Sequence, residues 1–158
     1  MNLDIHEVRN DEFDAVADLF HEGDDYHREA MPELFRPESP VRTEEFLKSF
    51  IGNDDARIFV AVLDGEVIGL VQFSVIDTGD RPTMFSRKLV FVDSLVVHTR
   101  HRRQGVGKAL MSHVQDWAAE HGIPNIELTV YGFNRAAIQL YEDLGYETMM
   151  RRMRFKVE

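Results

Sequence analysis

The 158-residue sequence predicts a mixed α/β fold, and three stretches carry that reading. Residues 57–63 and 66–76 are rich in β-branched and aromatic side chains and are separated by Asp64-Gly65, the two-residue signal of a type I′ hairpin. Residues 89–97 form a nearly continuous apolar run, the pattern of a strand covered on both faces, interrupted only by Asp93 and Ser94. Residues 105–121 then place Val106, Ala109, Leu110, Val114 and Trp117 on one helical stripe, and residues 125–131 return to strand composition. Strand, helix and strand in that order make a βαβ unit, which brings its strands parallel with a right-handed crossover.

The remaining elements follow from local signals. Residues 3–8 alternate apolar and polar side chains and predict a first strand. Asp11 is placed to cap a helix carrying Phe13, Val16, Leu19 and Phe20, with a second short helix expected before Pro32 and another over residues 43–50. Gly79, Asp80 and Pro82 mark residues 78–88 as an exposed connection. Gly122 stops the long helix, Asn134 caps a helix bearing Ala137, Leu140, Tyr141 and Leu144, and Gly145 closes it. A last strand is expected over residues 146–157. With no repeat, low-complexity tract or linker in view, one domain spanning residues 1–158 is the expectation.

Composition excludes several classes of function. With 28 acidic residues against 18 Lys and Arg, the net charge of −10 repels nucleic acid and anionic lipid. The absence of cysteine removes disulfides, thiolate-ligated metal and thiol nucleophiles, and suits a reducing compartment. Residues 1–10 lack the apolar core of a signal peptide, and no apolar run approaches the roughly 18 residues of a spanning helix. A cytoplasmic protein without membrane or nucleic-acid partners is expected, and the histidines lack the spacing that would imply a metal.

Charge is nevertheless unevenly placed. No Asp or Glu lies between Asp93 and Asp116, a window that holds His98, Arg100, His101, Arg102, Arg103 and Lys108. Within it, at the junction of buried strand and long helix, the chain reads Arg102-Arg103-Gln104-Gly105-Val106-Gly107-Lys108. Helix N-termini present unpaired N–H groups and the positive end of the helix dipole, so a pyrophosphate is well held there. Gly105 and Gly107 let the backbone approach closely, and Arg102, Arg103 and Lys108 add charge. Arg102 and Ala109 stand where a Walker loop needs Gly and Ser or Thr, and the third glycine of a dinucleotide fingerprint is missing.

The run Arg102-x-x-Gly105-x-Gly107, preceded by Leu95-Val96-Val97-His98, resembles the signature of the GNAT superfamily of N-acetyltransferases. A second pattern of that family recurs as Asn134, Ala137, Leu140-Tyr141 and Leu144-Gly145-Tyr146. The resemblance implies a mostly antiparallel twisted sheet of about six or seven strands, with strands four and five parallel and splayed, flanked by about four helices. It implies acetyl-coenzyme A as co-substrate, held by Arg102, Arg103, Gln104, Gly105, Val106, Gly107 and Lys108. The backbone of Leu95, Val96 and Val97 is then expected along the pantetheine arm, with Asn134, Ala137 and Tyr141 also touching the coenzyme.

By the same resemblance Tyr141 is the general acid to the departing thiolate, since a phenol of ordinary pKa about 10 is protonated at neutral pH. Several family members carry Glu where this chain has Phe91. Asp93, two residues along the strand and so on the same face, is the candidate base for the attacking amine. The acceptor is expected to be a primary amine of a small molecule such as a polyamine, aminoglycoside or metabolite. A peptide or protein amine, or a non-catalytic acyl-coenzyme A sensor, are the alternatives. Glu22, Asp24, Asp25 and Glu29, with His21 and His27, are either an acidic rim that a cationic acceptor would meet or a solvated helical face, the commoner fate of such a charge run, and a homodimer is compatible with the family.

Overall fold

The computed structural model describes residues 2–158. Among them, β1 (Asp4–Glu7), β2 (Ala56–Leu63), β3 (Glu66–Asp77), β4 (Lys88–Val97) and β5 (Ile126–Leu128) form one sheet in that spatial order. The first four are antiparallel neighbours, and β4 and β5 are parallel. The hairpin between β2 and β3 turns on Asp64 and Gly65, whose φ of 50° and 80° are the two positive angles a type I′ turn requires.

Among the described residues, four α-helices cover the two faces. On one, α1 (Phe13–Ala30) and α2 (Glu44–Lys48) bury Val16, Leu19, Phe20 and Leu47 against Ile58, Val60, Leu70 and Val96. On the other, α3 (Val106–Glu120) and α4 (Arg135–Asp143) bury Val106, Leu110, Val114, Trp117 and Tyr141 against Phe59, Val71, Phe73, Val90 and Val92. Phe73 lies at the centre of this second layer, fully buried, with its ring 4.9 Å from Trp117 and 5.3 Å from Phe59. α3 crosses β3 closely at Gly69. A Cβ there would stand 3.2 Å from Leu110 Cδ1, Val106 Cγ1 and Val96 O, so only glycine admits this approach without displacement.

Two irregularities make room for a site. The ladder between β3 and β4 shifts register between Gln72 and Phe73, which pair with Ser94 and Val92 and leave Asp93 as the extra residue of a β-bulge. On its other edge β4 pairs with β5 only through Val90, Phe91 and Val92. The strands part immediately after, so bulge and splay begin at the same residue.

Several sequence expectations change. The chain forms five strands among the described residues, not six to seven: residues 146–157 do not enter the sheet, Tyr146 packing against the core and residues 147–157 lying exposed, although their alternation reads as a strand. β5 is shorter than the expected residues 125–131 because the splay ends its pairing at Leu128. Residues 13–30 are one 18-residue helix in place of two. Asp11 does not cap it, because residues 10–12 form a 3-10 turn that feeds α1 directly, with Glu12 Oε1 accepting from Arg9 N–H at 3.0 Å. Asn134 caps α4 as expected, accepting from Ala137 N–H at 3.2 Å, and Thr43 caps α2, accepting from Phe46 N–H at 3.1 Å.

Candidate active site

The splay between β4 and β5 opens a cleft of about 390 Å³, within the range of small-molecule sites. Its floor is the unpaired edge of β4. His98 N–H donates to Ile68 O at 2.8 Å, toward β3, and backbone groups alternate edge by edge along a strand. Leu95 and Val97 therefore turn their N–H and C=O groups into the cleft. The Val97 carbonyl is taken there, accepting from Arg102 Nε at 3.2 Å. Without the bulge at Asp93 this alternation would be reversed, and Leu95 and Val97 would pair with β3 instead.

At one end of the floor the chain enters α3. Gly105, the N-cap, has φ 84°, and Arg103 two residues earlier has φ 59°, an angle that costs a side-chain-bearing residue. Left-handed residues in a turn at a helix start gather successive N–H groups into an anion-binding concavity. Arg103 and Lys108 are exposed beside it. Gly107 lies under Leu140 of α4, where a Cβ would come within 3.1 Å of Leu140 Cδ2, so the two helices meet at the mouth of this loop.

Residues of α1 hold the loop from the other side. Glu22 Oε1 accepts from Thr99 N–H at 2.7 Å and from the Thr99 hydroxyl, and lies 3.7 Å from Arg102 Nη2. The Arg102 guanidinium also sits 5.4 Å above the Tyr26 ring. The Tyr26 hydroxyl in turn donates to Asn134 Oδ1 at 3.4 Å, the oxygen that caps α4. One helix thus braces both the phosphate-loop candidate and the second motif.

The catalytic candidates lie between these supports. Tyr141 is buried on α4, 5.8 Å from the Tyr146 ring, and lines the cleft. Burial, with the neighbouring Tyr146, pushes its phenol up to about 12. Asp93 faces the cleft, and Ser74 Oγ donates to its Oδ2 at 2.8 Å. Ser74 pairs with Phe91 across the ladder, so the bond keeps Asp93 on the face of Phe91, as the spacing predicts. Although the residue is exposed, partial desolvation of its carboxyl raises the pKa above the ordinary value, and the Ser74 bond offsets part of that rise.

Every residue singled out as a coenzyme contact lines this cleft except Gln104, whose Nε2 turns away to donate to Arg100 O at 3.3 Å. Of the acidic rim, Asp24 and His27 reach the cleft, whereas Asp25 pairs with Arg28, Glu22 serves the loop, and His21 and Glu29 lie outside it. Burial opposes the charge of Asp24, but two hydrogen bonds from Arg42 and its positive charge outweigh that and hold the carboxyl below its usual pKa.

The sequence reading missed an aromatic cluster at the far end. His27 packs 5.5 Å from Phe35, 5.8 Å from Tyr131 and 5.7 Å from Phe133, and its Nδ1 lies 2.9 Å from Gly23 O. A carbonyl there fixes Nδ1 as the protonated nitrogen and leaves Nε2 as an acceptor whenever the ring is neutral. These rings come from three separated segments, and nothing local in any of them signals the others.

The chain matches the acetyltransferase (GNAT) family over residues 20–146. It is 29% identical over 149 residues to the uncharacterized N-acetyltransferase YhfO of Bacillus subtilis, covering 92% of this chain and 90% of that protein. Its fold superimposes on a mutant of the BH1408 protein from Bacillus halodurans with a TM-score of 0.91 at 23% identity, over 98% of this chain and 99% of that one. AAC(6')-Iy, solved with the bisubstrate analog CoA-S-monomethyl-acetylneamine, superimposes with a TM-score of 0.75 at 19% identity, over 100% and 99% of the two chains.

Proposed function

The chain belongs to the acetyltransferase (GNAT) family, and from that premise we propose that it carries acetyl from acetyl-coenzyme A directly to a primary amine of a small molecule. One observation carries the acceptor half of this reading: a single cleft runs from the Gly105 turn past Asp93 to the aromatic cluster around His27. The donor's pyrophosphate suits the turn formed by Arg103, Gly105 and the first N–H groups of α3. Its pantetheine arm suits the free edge of β4. The acetyl carbonyl would then meet a cleft-facing N–H of Leu95 or Val97, where charge develops during transfer.

The acceptor nitrogen attacks the thioester carbon, a C–N bond forms, the C–S bond breaks, and the amine proton must leave. Asp93 is the base within reach of that end of the cleft, its raised pKa making it a stronger acceptor than an ordinary carboxylate. Tyr141 faces the departing sulfur as a hydrogen-bond donor. At a pKa of about 12 it holds its proton more tightly than a thiol of about 8.5, so it stabilises the thiolate by donation more than by complete proton transfer.

A small cationic acceptor is favoured by the surroundings. Asp93 gives the cleft negative charge, and the rings of His27 and Tyr131 at the far end offer π faces to an ammonium group. AAC(6')-Iy, similar in fold, was captured with an acetylneamine conjugate, which makes aminoglycosides and polyamines the first acceptors to assay. A cytoplasmic setting is in keeping with the cysteine-free chain. Among the described residues no helix is long and apolar enough to cross a membrane.

Release of free coenzyme A thiol from acetyl-coenzyme A across a panel of polyamines, aminoglycosides, amino acids and short peptides tests the proposal. Turnover on small amines is the expected result. Turnover confined to peptides would reassign the acceptor, and binding without turnover on any amine would make the chain an acyl-coenzyme A sensor.

A further inference from the structure

The aromatic cluster at the far end of the cleft holds one polar atom that packing does not account for. His27 stands at its hub, with the rings of Tyr26, Phe35, Tyr131 and Phe133 all 5.5–5.8 Å away. Its Nδ1 is taken by Gly23 O at 2.9 Å. Its Nε2 has no partner among the described residues and is not walled off, so it opens on the cleft that His27 lines. A free lone pair among aromatic rings is a place for a hydrogen-bond donor.

The walls of this box are fixed from behind. Phe35 comes from residues 31–43, a segment tied to α1 by Arg28, which donates through Nε to Arg36 O at 2.7 Å and through Nη2 to Ser39 Oγ at 2.9 Å. Arg42 of the same segment closes on Asp24. These ties also occupy the nearby carboxylates, Asp24 with Arg42 and Asp25 with Arg28. To a ligand, this end of the cleft therefore presents π faces and the Nε2 lone pair, both of which attract a cationic N–H donor.

Such a donor is not the reacting nitrogen. Attack on the thioester needs a neutral amine with its own lone pair free, at the splay beside Asp93 and Leu95, whereas cation–π attraction and donation to Nε2 favour an ammonium. We propose, resting on the transfer reading above, that His27 determines acceptor specificity: its Nε2 accepts a hydrogen bond from a second, non-reacting ammonium group seated against Tyr131. The acceptor class is then a diamine, acetylated at the nitrogen near Asp93 and held by the other.

The test compares unbranched diamines with monoamines matched in length, by release of thiol from acetyl-coenzyme A on the full chain. The expected kcat/KM is about 10- to 100-fold higher for the diamines, carried mainly by KM. His27→Phe keeps a ring in the box and removes the lone pair, and should lower the diamine-to-monoamine ratio by about tenfold. His27→Gln, which offers an acceptor oxygen in its place, should recover part of the ratio, a result that packing alone would not produce. Thermal melts on both variants check that they fold. A ratio near one in the unsubstituted chain, or a ratio that both variants leave unchanged, would overturn this inference while the transfer reading stands. No turnover on any amine would overturn both.

Discussion

Ser74 Oγ donates to Asp93 Oδ2 at 2.8 Å, from the strand that pairs with β4, to the residue that the bulge ejects from the ladder. The bond fixes the carboxyl at the point where β4 and β5 part. It also pulls against desolvation, which raises the Asp93 pKa. A base works only when deprotonated, so activity falls as pH drops through its pKa, and a raised pKa moves that acidic limb upward. Ser74→Ala removes the lowering contribution and should shift the limb of kcat/KM to still higher pH. Asp93→Asn should abolish the limb and cost about 100-fold or more in kcat. A profile that keeps its acidic limb in Asp93→Asn would transfer the role to another group, His27 first.

Tyr141→Phe tests donation to sulfur. The phenol is buried, and its pKa of about 12 keeps it protonated across the working range, so it contributes no basic limb of its own below about that value. The substitution should lower kcat by about 10- to 100-fold while leaving coenzyme A affinity within about twofold. Coenzyme affinity is read by calorimetry and turnover by thiol release. Equal loss of affinity and rate would mean that Tyr141 acts only by packing α4.

Glu22 gives a prediction about binding without chemistry. It accepts from Thr99 N–H at 2.7 Å and lies 3.7 Å from Arg102 Nη2, so it fastens α1 to the turn ahead of α3. Glu22→Ala leaves those donors to water and frees the turn. Coenzyme A affinity should fall by about tenfold, with about 1–2 kcal/mol of stability lost, in line with one charged hydrogen-bond acceptor removed from a partly exposed site. Glu22→Gln, which keeps an oxygen for Thr99, should restore most of the affinity. Unchanged calorimetric affinity in the alanine variant would show that the turn holds its shape without this brace.

What could be read from the sequence divides by how local its cause is. Asp64-Gly65, Asn134 and Gly145 act within a few residues of themselves, and the hairpin and the fourth helix formed where those residues stand. The turn at Gly105 was legible for the same reason. The bulge at Asp93 was not, because it exists only in the pairing of β3 with β4. Gly23 lies inside α1 where that helix packs on β4, with Val96 Cγ2 3.0 Å from a would-be Cβ, a close approach that only the packed fold reveals. The aromatic cluster joins Phe35 to Tyr131 at 5.6 Å although strands β2 to β5 lie between them in the sequence, and only topology brings them together. Residues 146–157 failed differently: the alternation of a strand is present, but a strand forms only against a neighbour, and the sheet ends at β5.

Two glycines separate packing from conformation in the coenzyme site. Gly69 would hold a Cβ only tightly, with three heavy atoms at 3.2 Å, two of them from α3. Gly105 has open space around its Cβ position but a φ of 84°. Gly69→Ala should therefore act on stability by forcing α3 off the sheet, at about 1–3 kcal/mol, or several degrees in Tm for a chain of this length. Gly105→Ala should leave the core intact and strain the turn by about 1–2 kcal/mol, appearing mainly as weaker coenzyme A binding. Gly105→Asn is the discriminating control, because asparagine tolerates the left-handed region better than alanine and should recover part of the affinity. Thermal melts and calorimetry on the three variants read the two effects separately. Equal affinities for the alanine and asparagine variants would mean that the turn's angle is not what the coenzyme requires.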